Sequence, residues 1–291
     1  MIETRRPTRR VESPEQLVAA APELEALPVV AQRLLAMLRD EHTTVAGIAS
    51  LLGTDQALAS AVLRQANSGL AMPNRRIADL REAVARIGQR TLWSVLISAC
   101  AGPMLDRGLP PYGLARRVAW RHAATTSVAA RQLAQLLDVA NPEEAGVAGL
   151  LHDVGKTVLT WVAPTIAASA VALARGQRLQ VWQAEERLLG FNHGAVGAAL
   201  VRCWGLPEAV VEAVAHHHDQ RASSPDPANR LTTIVYLADA AAHAVGAVGG
   251  GGACPQPAFD MPAAEALGAR PAEIQQYLES LKCVEEGDLC A

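Results

Sequence analysis

Leu150-Leu151-His152-Asp153-Val154-Gly155-Lys156 carries the densest chemistry in the chain. An adjacent histidine and aspartate on a helix present a neutral imidazole and a hard carboxylate to one divalent cation. Lys156 follows Asp153 by three residues, so on a helix it shares the aspartate's face. There an ammonium can meet a phosphate or balance a carboxylate. The apolar residues on both sides of the run are read as one helix over 143–161.

Working outward, further ligand-type residues fall on separate helical segments. His122 lies in Trp120-Arg121-His122. His193 opens a helix in Phe191-Asn192-His193-Gly194, and His216, His217 and His218 close another. Asp239 sits in Leu237-Ala238-Asp239-Ala240. Imidazoles and carboxylates together suit iron, manganese, zinc or nickel, and two bridged ions can generate hydroxide and clamp a phosphoryl group. Each residue also has an ordinary role. His122 or His193 alone is a cap or a core histidine, and three histidines at a helix end suit the helix dipole. Asp239 resists that treatment, because a carboxylate among apolar residues needs a partner or a metal.

Half of the 291 residues are apolar, chiefly Ala, Leu and Val, and only 3% are aromatic. That balance favours helix over strand, in a chain long enough for one large domain or two lobes. A net charge of −3 gives the whole chain no electrostatic footprint for nucleic acid. Five scattered cysteines without a Cys-x-x-Cys pair argue against disulfides and a thiolate zinc site, and point to a reducing, cytoplasmic setting. Residues 1–10 hold four arginines and no apolar stretch, which does not resemble a secretory signal. The uncharged stretch 157–174 contains Thr160, Pro164, Thr165 and Ser169. It is read as buried helix broken at Pro164, not as a membrane span, which needs about 20 strongly apolar residues.

The expected organisation is an all-α, two-lobed helical bundle. Residues 1–12 read as a disordered lead-in, and Ser13-Pro14-Glu15-Gln16 as a capped helix start. Val30, Leu34, Leu35 and Leu38 recur at helical spacing. Short amphipathic helices follow at 45–52, 56–67 and 77–87, separated by Gly53, the 69–74 segment and Gly88. An apolar helix over 91–100 ends at Gly102-Pro103. The Gly108–Gly113 segment, with two prolines, divides a first lobe (13–108) from a second (109–285). The second lobe has helices near 115–137, 143–161, 166–175, 181–189, 194–204, 208–219 and 230–245, a loop over 223–228, a flexible glycine- and proline-rich loop over 246–257, and a last helix opened by Pro271.

These residues carry a resemblance. His122, His152-Asp153 and Asp239 match the metal motif of the HD phosphohydrolase superfamily. His193 and the pair His217–His218 match the extra ligands of its HD-GYP branch. The stretch from Glu186 to Gly197 and Trp204-Gly205-Leu206-Pro207 look like an HDOD domain, as do Leu27-Pro28, Ala66-Asn67-Ser68 and Leu80-Arg81-Glu82-Ala83 in the first lobe. The resemblance covers residues 20–285 or so and implies a second lobe of HD-superfamily type, a role in bacterial signal transduction, and divalent metal on His122, His152, Asp153, His193, His217, His218 and Asp239. The chain departs from the HD-GYP branch at two places. Asp219-Gln220-Arg221 stands where Gly-Tyr-Pro would follow, and Val118 stands where some of those enzymes carry a glutamate.

The reading that follows is a regulatory HDOD-type protein without catalysis. Its second lobe is a site for a metal or a phosphorylated, nucleotide-type ligand, and its first lobe contacts a protein partner. Lys156 and Arg81 are the candidate ligand-binding cations. The alternative is a metal-dependent phosphohydrolase or phosphodiesterase acting on a nucleotide, with Lys156 stabilising developing charge. Residues 45–63 have helix-turn-helix spacing, but Arg64 and Gln65 are the only obvious contacts nearby, so a packing helix pair is expected and DNA is not.

Overall fold

Ser13, extended at φ −152°, accepts a hydrogen bond from the Gln16 backbone N–H and opens the first helix with Pro14 in its first turn. The computed structural model describes residues 13–68, 76–219, 229–247 and 258–286. About 75% is helical, and no strand occurs among the described residues. The 1–12 lead-in, the 69–74 segment with Arg75, the 223–228 loop and residues 248–257 of the last loop lie outside them.

The first part comprises α1 (Pro14–Ala19), α2 (Pro22–Glu25), α3 (Val29–Met37), α4 (Val45–Leu52), α5 (Gln56–Asn67) and α6 (Leu80–Leu105). A 3-10 turn at Pro110–Tyr112 leads into α7 (Val118–Leu137), α8 (Pro142–Leu151), α9 (Val154–Val162), α10 (Pro164–Gln177), α11 (Val181–Leu189), α12 (His193–Cys203), α13 (Glu208–His216), α14 (Arg230–Ala244), α15 (Met261–Ala266) and α16 (Pro271–Glu286). The starts are encoded locally. Thr44, Asp55, Asp79, Asn141 and Asn192 each accept from first-turn backbone N–H groups that would otherwise lack partners. Asp260 does the same for α15, a short helix outside the expected set whose signal is Asp260-Met261-Pro262.

The architecture is the all-α two-lobed bundle expected. Leu58, Val62 and Ala66 form the buried stripe of α5, which packs on α6. In the other lobe α7 packs on α8, α14 and α16, and α12 lies between α9 and α13. The first two helices cross over, with α1 on α12 and α9, and α2 on α12. Trp204 Nε1 donates to Leu24 O across that contact at 3.2 Å, and Arg39 donates to Gly205 O. One apolar core runs through both lobes, from Leu17 and Leu34 through Leu96, Leu133 and Leu159 to Leu281. Burying each such leucine contributes about 1.5–3 kcal/mol.

Three expectations need correction. The helix before the lobe junction does break at Gly88 (φ 75°, ψ 168°), but it continues through Gly102-Pro103 to Leu105, where buried Ala101 and Leu105 hold the last turn. The single helix over 143–161 is two helices, with His152-Asp153 at their junction. The helix expected over 208–219, α13, stops at His216. The last two share a cause. His152 Nδ1 donates to Gly149 O at 2.7 Å, and His217 Nδ1 donates to Val214 O at 2.8 Å. Each ring takes the carbonyl three residues back, as side chains do where they compete with the helical ladder. No single described helix is long and apolar enough to cross a membrane, and the uncharged stretch bends by 119° at its break before Pro164.

Candidate metal centre

Five segments deliver the cluster. His122 projects from α7, His152 and Asp153 stand at the α8–α9 junction, His193 is the first residue of α12, His217 and His218 follow α13, and Asp239 lies on α14. Two glycines let the segments approach. A Cβ at Gly155 would lie 1.9 Å from His193 O, so only glycine lets α9 abut the start of α12. A Cβ at Gly194 would lie 2.7 Å from Ala215 O, so glycine there lets α13 come close as well.

The tautomers follow from the partners of the outer nitrogens. A carbonyl only accepts, so a ring nitrogen facing one must donate. His122 Nδ1 faces Ala247 O at 2.8 Å, and His152 and His217 use Nδ1 on Gly149 and Val214 as above. His193 Nδ1 lies 2.6 Å from Glu185 Oε2, which also accepts from the His193 backbone N–H. Four rings therefore turn Nε2 inward. His122 Nε2 and His152 Nε2 stand 3.2 Å apart, and His193 Nε2 and His218 Nε2 2.9 Å apart.

Asp153 lies between two sets of rings. Its Oδ2 is 3.6 Å from His152 Nε2 and 3.9 Å from His122 Nε2. Its Oδ1 is 3.0 Å from His193 Nε2 and 3.8 Å from His217 Nε2. Asp239 Oδ1 is 3.1 Å from His122 Nε2 and 3.7 Å from His152 Nε2. Both carboxylates thus come within 4 Å of one imidazole, as a shared cation requires. Lys156 Nζ holds Asp153 Oδ2 at 2.6 Å.

Electrostatics set the protonation. Burial would raise the Asp153 and Asp239 carboxyls, but Lys156 and His152 around the first, and His122 and His152 around the second, hold both well below the usual range. Burial pushes His152 down, and burial with the neighbouring imidazoles takes His217 to about 3 and His218 well below its ordinary value. Burial also opposes charge on His122 and His193, yet Asp239 beside the first and Glu185 beside the second raise them. Protons on those two Nε2 atoms then stand where a cation would stand, so cation binding would displace them.

The donor set fits a divalent metal. Asp153 Oδ1, Asp239 Oδ1 and His217 Nε2 are buried without a hydrogen-bond partner of good geometry, a condition buried polar atoms avoid unless something else satisfies them. Donors that share one ion at about 2.0–2.2 Å stand roughly 3–3.5 Å apart, close to the spacings above. Two overlapping His/Asp groups with donor atoms within 4.8 Å of one another, Asp153/His193/His217/His218 and His122/His152/Asp153, share Asp153.

Some residues stand elsewhere. His216 faces solvent beside Glu212 and Asp219. Arg81 lies exposed in the first turn of α6 and makes no hydrogen bond or ion pair with the cluster among the described residues. Two contributors escaped the sequence reading. Glu185 is fully buried and accepts from both His193 and the Tyr112 hydroxyl, the latter at 2.8 Å. Burial opposes its charge, but His193 and these hydrogen bonds keep its carboxyl below the usual value. Its signal was a glutamate inside the Val181–Ala184–Leu188 apolar stripe. His243, one turn after Asp239, lies 3.4 Å from Asp239 Oδ1, and its ring centroid is 4.7 Å from that of His122.

Residues 24–220 match the HDOD domain. An HDOD domain protein of unknown function from Geobacter sulfurreducens shares the fold over 94% of this chain and 98% of its own, at 25% identity and a TM-score of 0.68. An uncharacterized protein of Treponema pallidum is 26% identical over 220 residues, which is 74% of this chain but 42% of that protein. Ribonuclease Y of Thermus thermophilus is 30% identical over 138 residues, 47% of this chain and 15% of its own. The chain thus spans less than half the length of these curated relatives. With the domain matched across both lobes and the fold shared almost end to end, the chain belongs to the HDOD domain family.

Proposed function

We propose that this protein is a regulatory HDOD protein of bacterial signal transduction whose second lobe holds divalent metal and whose first lobe contacts a protein partner. The observation that carries the metal reading is the placement of Asp153. Its two oxygens face two different sets of inward Nε2 atoms. His122, His152 and Asp239 would hold an ion on the Oδ2 side, and His193, His217 and His218 one on the Oδ1 side. Iron, manganese, zinc and nickel all suit these ligands.

The regulatory reading rests on the family and on the departures from HD-GYP at 219–221 and Val118. Efficient hydrolysis needs a substrate held in line with its nucleophile, and the segment that distinguishes that branch is replaced here. The second reading is metal-dependent hydrolysis of a nucleotide. Lys156, buried at the cluster edge, favours it, as does similarity to ribonuclease Y. Bound metal would supply a Lewis acid and an activated water. Lys156 would hold a phosphate oxygen there, in exchange for its present contact with Asp153.

Metal analysis of protein purified without chelator, followed by a nucleotide panel, separates the readings. Metal with no turnover of cyclic or linear nucleotides supports regulation. Turnover above about 1 per second, near the low end for enzymes, that is lost in His152→Ala and Asp153→Ala would establish the hydrolase. Absence of metal under all loading conditions would remove the metal site from both.

A further inference from the structure

His122, Asp239 and His243 form a third group of possible ligands, with donor atoms within 4.8 Å of one another. His243 stands outside the residues that match the HD motif. Its place on α14, one turn after Asp239, puts both side chains on the same helix face.

Donor accounting decides what this group can hold. His122 Nδ1 is committed to Ala247 O, so the ring has one lone pair, at Nε2, and that lone pair serves one ion. The groups His122/His152/Asp153 and His122/Asp239/His243 therefore cannot each hold an ion through His122. The place of Asp239 argues for one position shared by both. Asp239 Oδ1 is the common neighbour, 3.1 Å from His122 Nε2, 3.4 Å from His243 Nε2 and 3.7 Å from His152 Nε2. At 3.4 Å, His243 makes a poor hydrogen bond to Asp239, but two donors on one ion stand at about that separation. Asp239 Oδ1 has no hydrogen-bond partner of good geometry, and neither does buried His243 Nδ1.

We propose that His243 is a fifth protein ligand of the metal position bounded by His122, His152, Asp153 and Asp239. This rests on the metal-centre reading above. The two positions then differ, with five protein ligands on the α14 side and four on the side of His193, His217 and His218. Closed positions belong to structural sites, and catalytic ones keep a ligand place free. The α14 position therefore has fewer places left for an exogenous ligand than its neighbour.

The test uses the full chain loaded with Co(II), as wild type, His243→Ala and His243→Gln, with folding checked by circular dichroism. Metal content, binding titrations and the visible Co(II) bands are read. The wild type is expected to bind two ions. His243→Ala should weaken one of the two by about tenfold or more, within the range for disturbed metal shells, and intensify the Co(II) bands as its coordination number falls. His243→Gln keeps an N–H for Asp239 but removes the imidazole, and it should behave like the alanine variant. Wild-type affinity and bands in His243→Ala overturn the proposal. So does full recovery in His243→Gln, which would make His243 a positioning residue for Asp239. Failure of the wild type to take up Co(II) sinks the metal-centre reading and this inference with it. Normal uptake by the wild type and unchanged binding in the alanine variant sink this inference alone.

Discussion

Adding one methyl group at Gly155 should both destabilise the fold and loosen the cluster. The new Cβ would fall 1.9 Å from His193 O, 2.7 Å from Gly197 N and 2.9 Å from His193 C. All three are backbone atoms of α12, so no side chain can swing aside, and α9 must move away from α12 by an ångström or more (van der Waals contact needs roughly 3.5 Å). Overpacking of this kind typically costs about 1–3 kcal/mol, and occasionally more. At about 2–4 °C per kcal/mol, the scale for chains of 150–250 residues, Gly155→Ala should lower Tm by about 2–12 °C. The same shift carries Asp153, two residues before, away from His193, so metal affinity should fall with Tm. Thermal melts with and without added metal measure both effects. Gly176 is the control, since it is exposed on α10 and a Cβ there meets nothing within 4 Å. Gly176→Ala should leave Tm unchanged or raise it slightly, as alanine is the better helix former. A Gly155→Ala protein with wild-type Tm and metal content would refute the close approach of α9 and α12 and the account of how the cluster is assembled.

Other outcomes follow from the cluster. Metal at 100 to 1,000 times its dissociation constant should stabilise the fold by about 3–4 kcal/mol; chelator should then lower Tm in the wild type, with no further effect on Asp153→Ala. Glu185→Gln should weaken metal binding by about 10–100-fold by leaving His193 Nδ1 without its carboxylate, seen as a rightward shift in a metal titration. Chelator-treated protein should lose stability as pH falls from 7 to 5. His152, His217, His218 and His243 titrate in the fold below their ordinary 6.5, with His217 at about 3 and His243 at about 4, so the unfolded chain takes up protons there that the fold refuses. Raised His122 and His193 oppose this, but they are two against four; a melting temperature that rose between pH 7 and 5 would contradict the balance.

The fold class was legible because its signals are local. Ser13-Pro14, Asp55 and Asn192 mark helix starts through their own side chains, and the 56–67 stripe shows in residue spacing alone. The candidate ligands were legible as residue types, since a histidine–aspartate pair between leucine and glycine says something without coordinates. What escaped depends on tertiary contact. The break at His152-Asp153 follows from a ring bonding Gly149 O, which helical periodicity does not encode. Glu185 lies in an apolar stripe, but its role appears only once Tyr112 arrives from 73 residues away. His243 sits in a run of alanines, and its relevance depends on α14 presenting it beside His122.

The paired contacts of Glu185 have a consequence for how this protein can change by substitution. One carboxylate satisfies the hydroxyl of Tyr112, in the turn that joins the two lobes, and the ring of His193, at the cluster. Burial and that carboxylate keep the phenol protonated, and so a donor. Tyr112→Phe would strand Glu185 Oε1 without water, at a cost of about 1–3 kcal/mol. Replacing Glu185 with an apolar residue strands three donors at once, the Tyr112 hydroxyl and the ring and backbone N–H groups of His193. The three positions therefore form one unit of inheritance, in which single steps are penalised and the double change Tyr112→Phe with Glu185→Gln is milder than its parts predict. Residues joined this way are non-additive by about 0.5–3 kcal/mol in double-mutant cycles, so a sequence that alters the lobe junction here is bound to alter the surroundings of His193 with it.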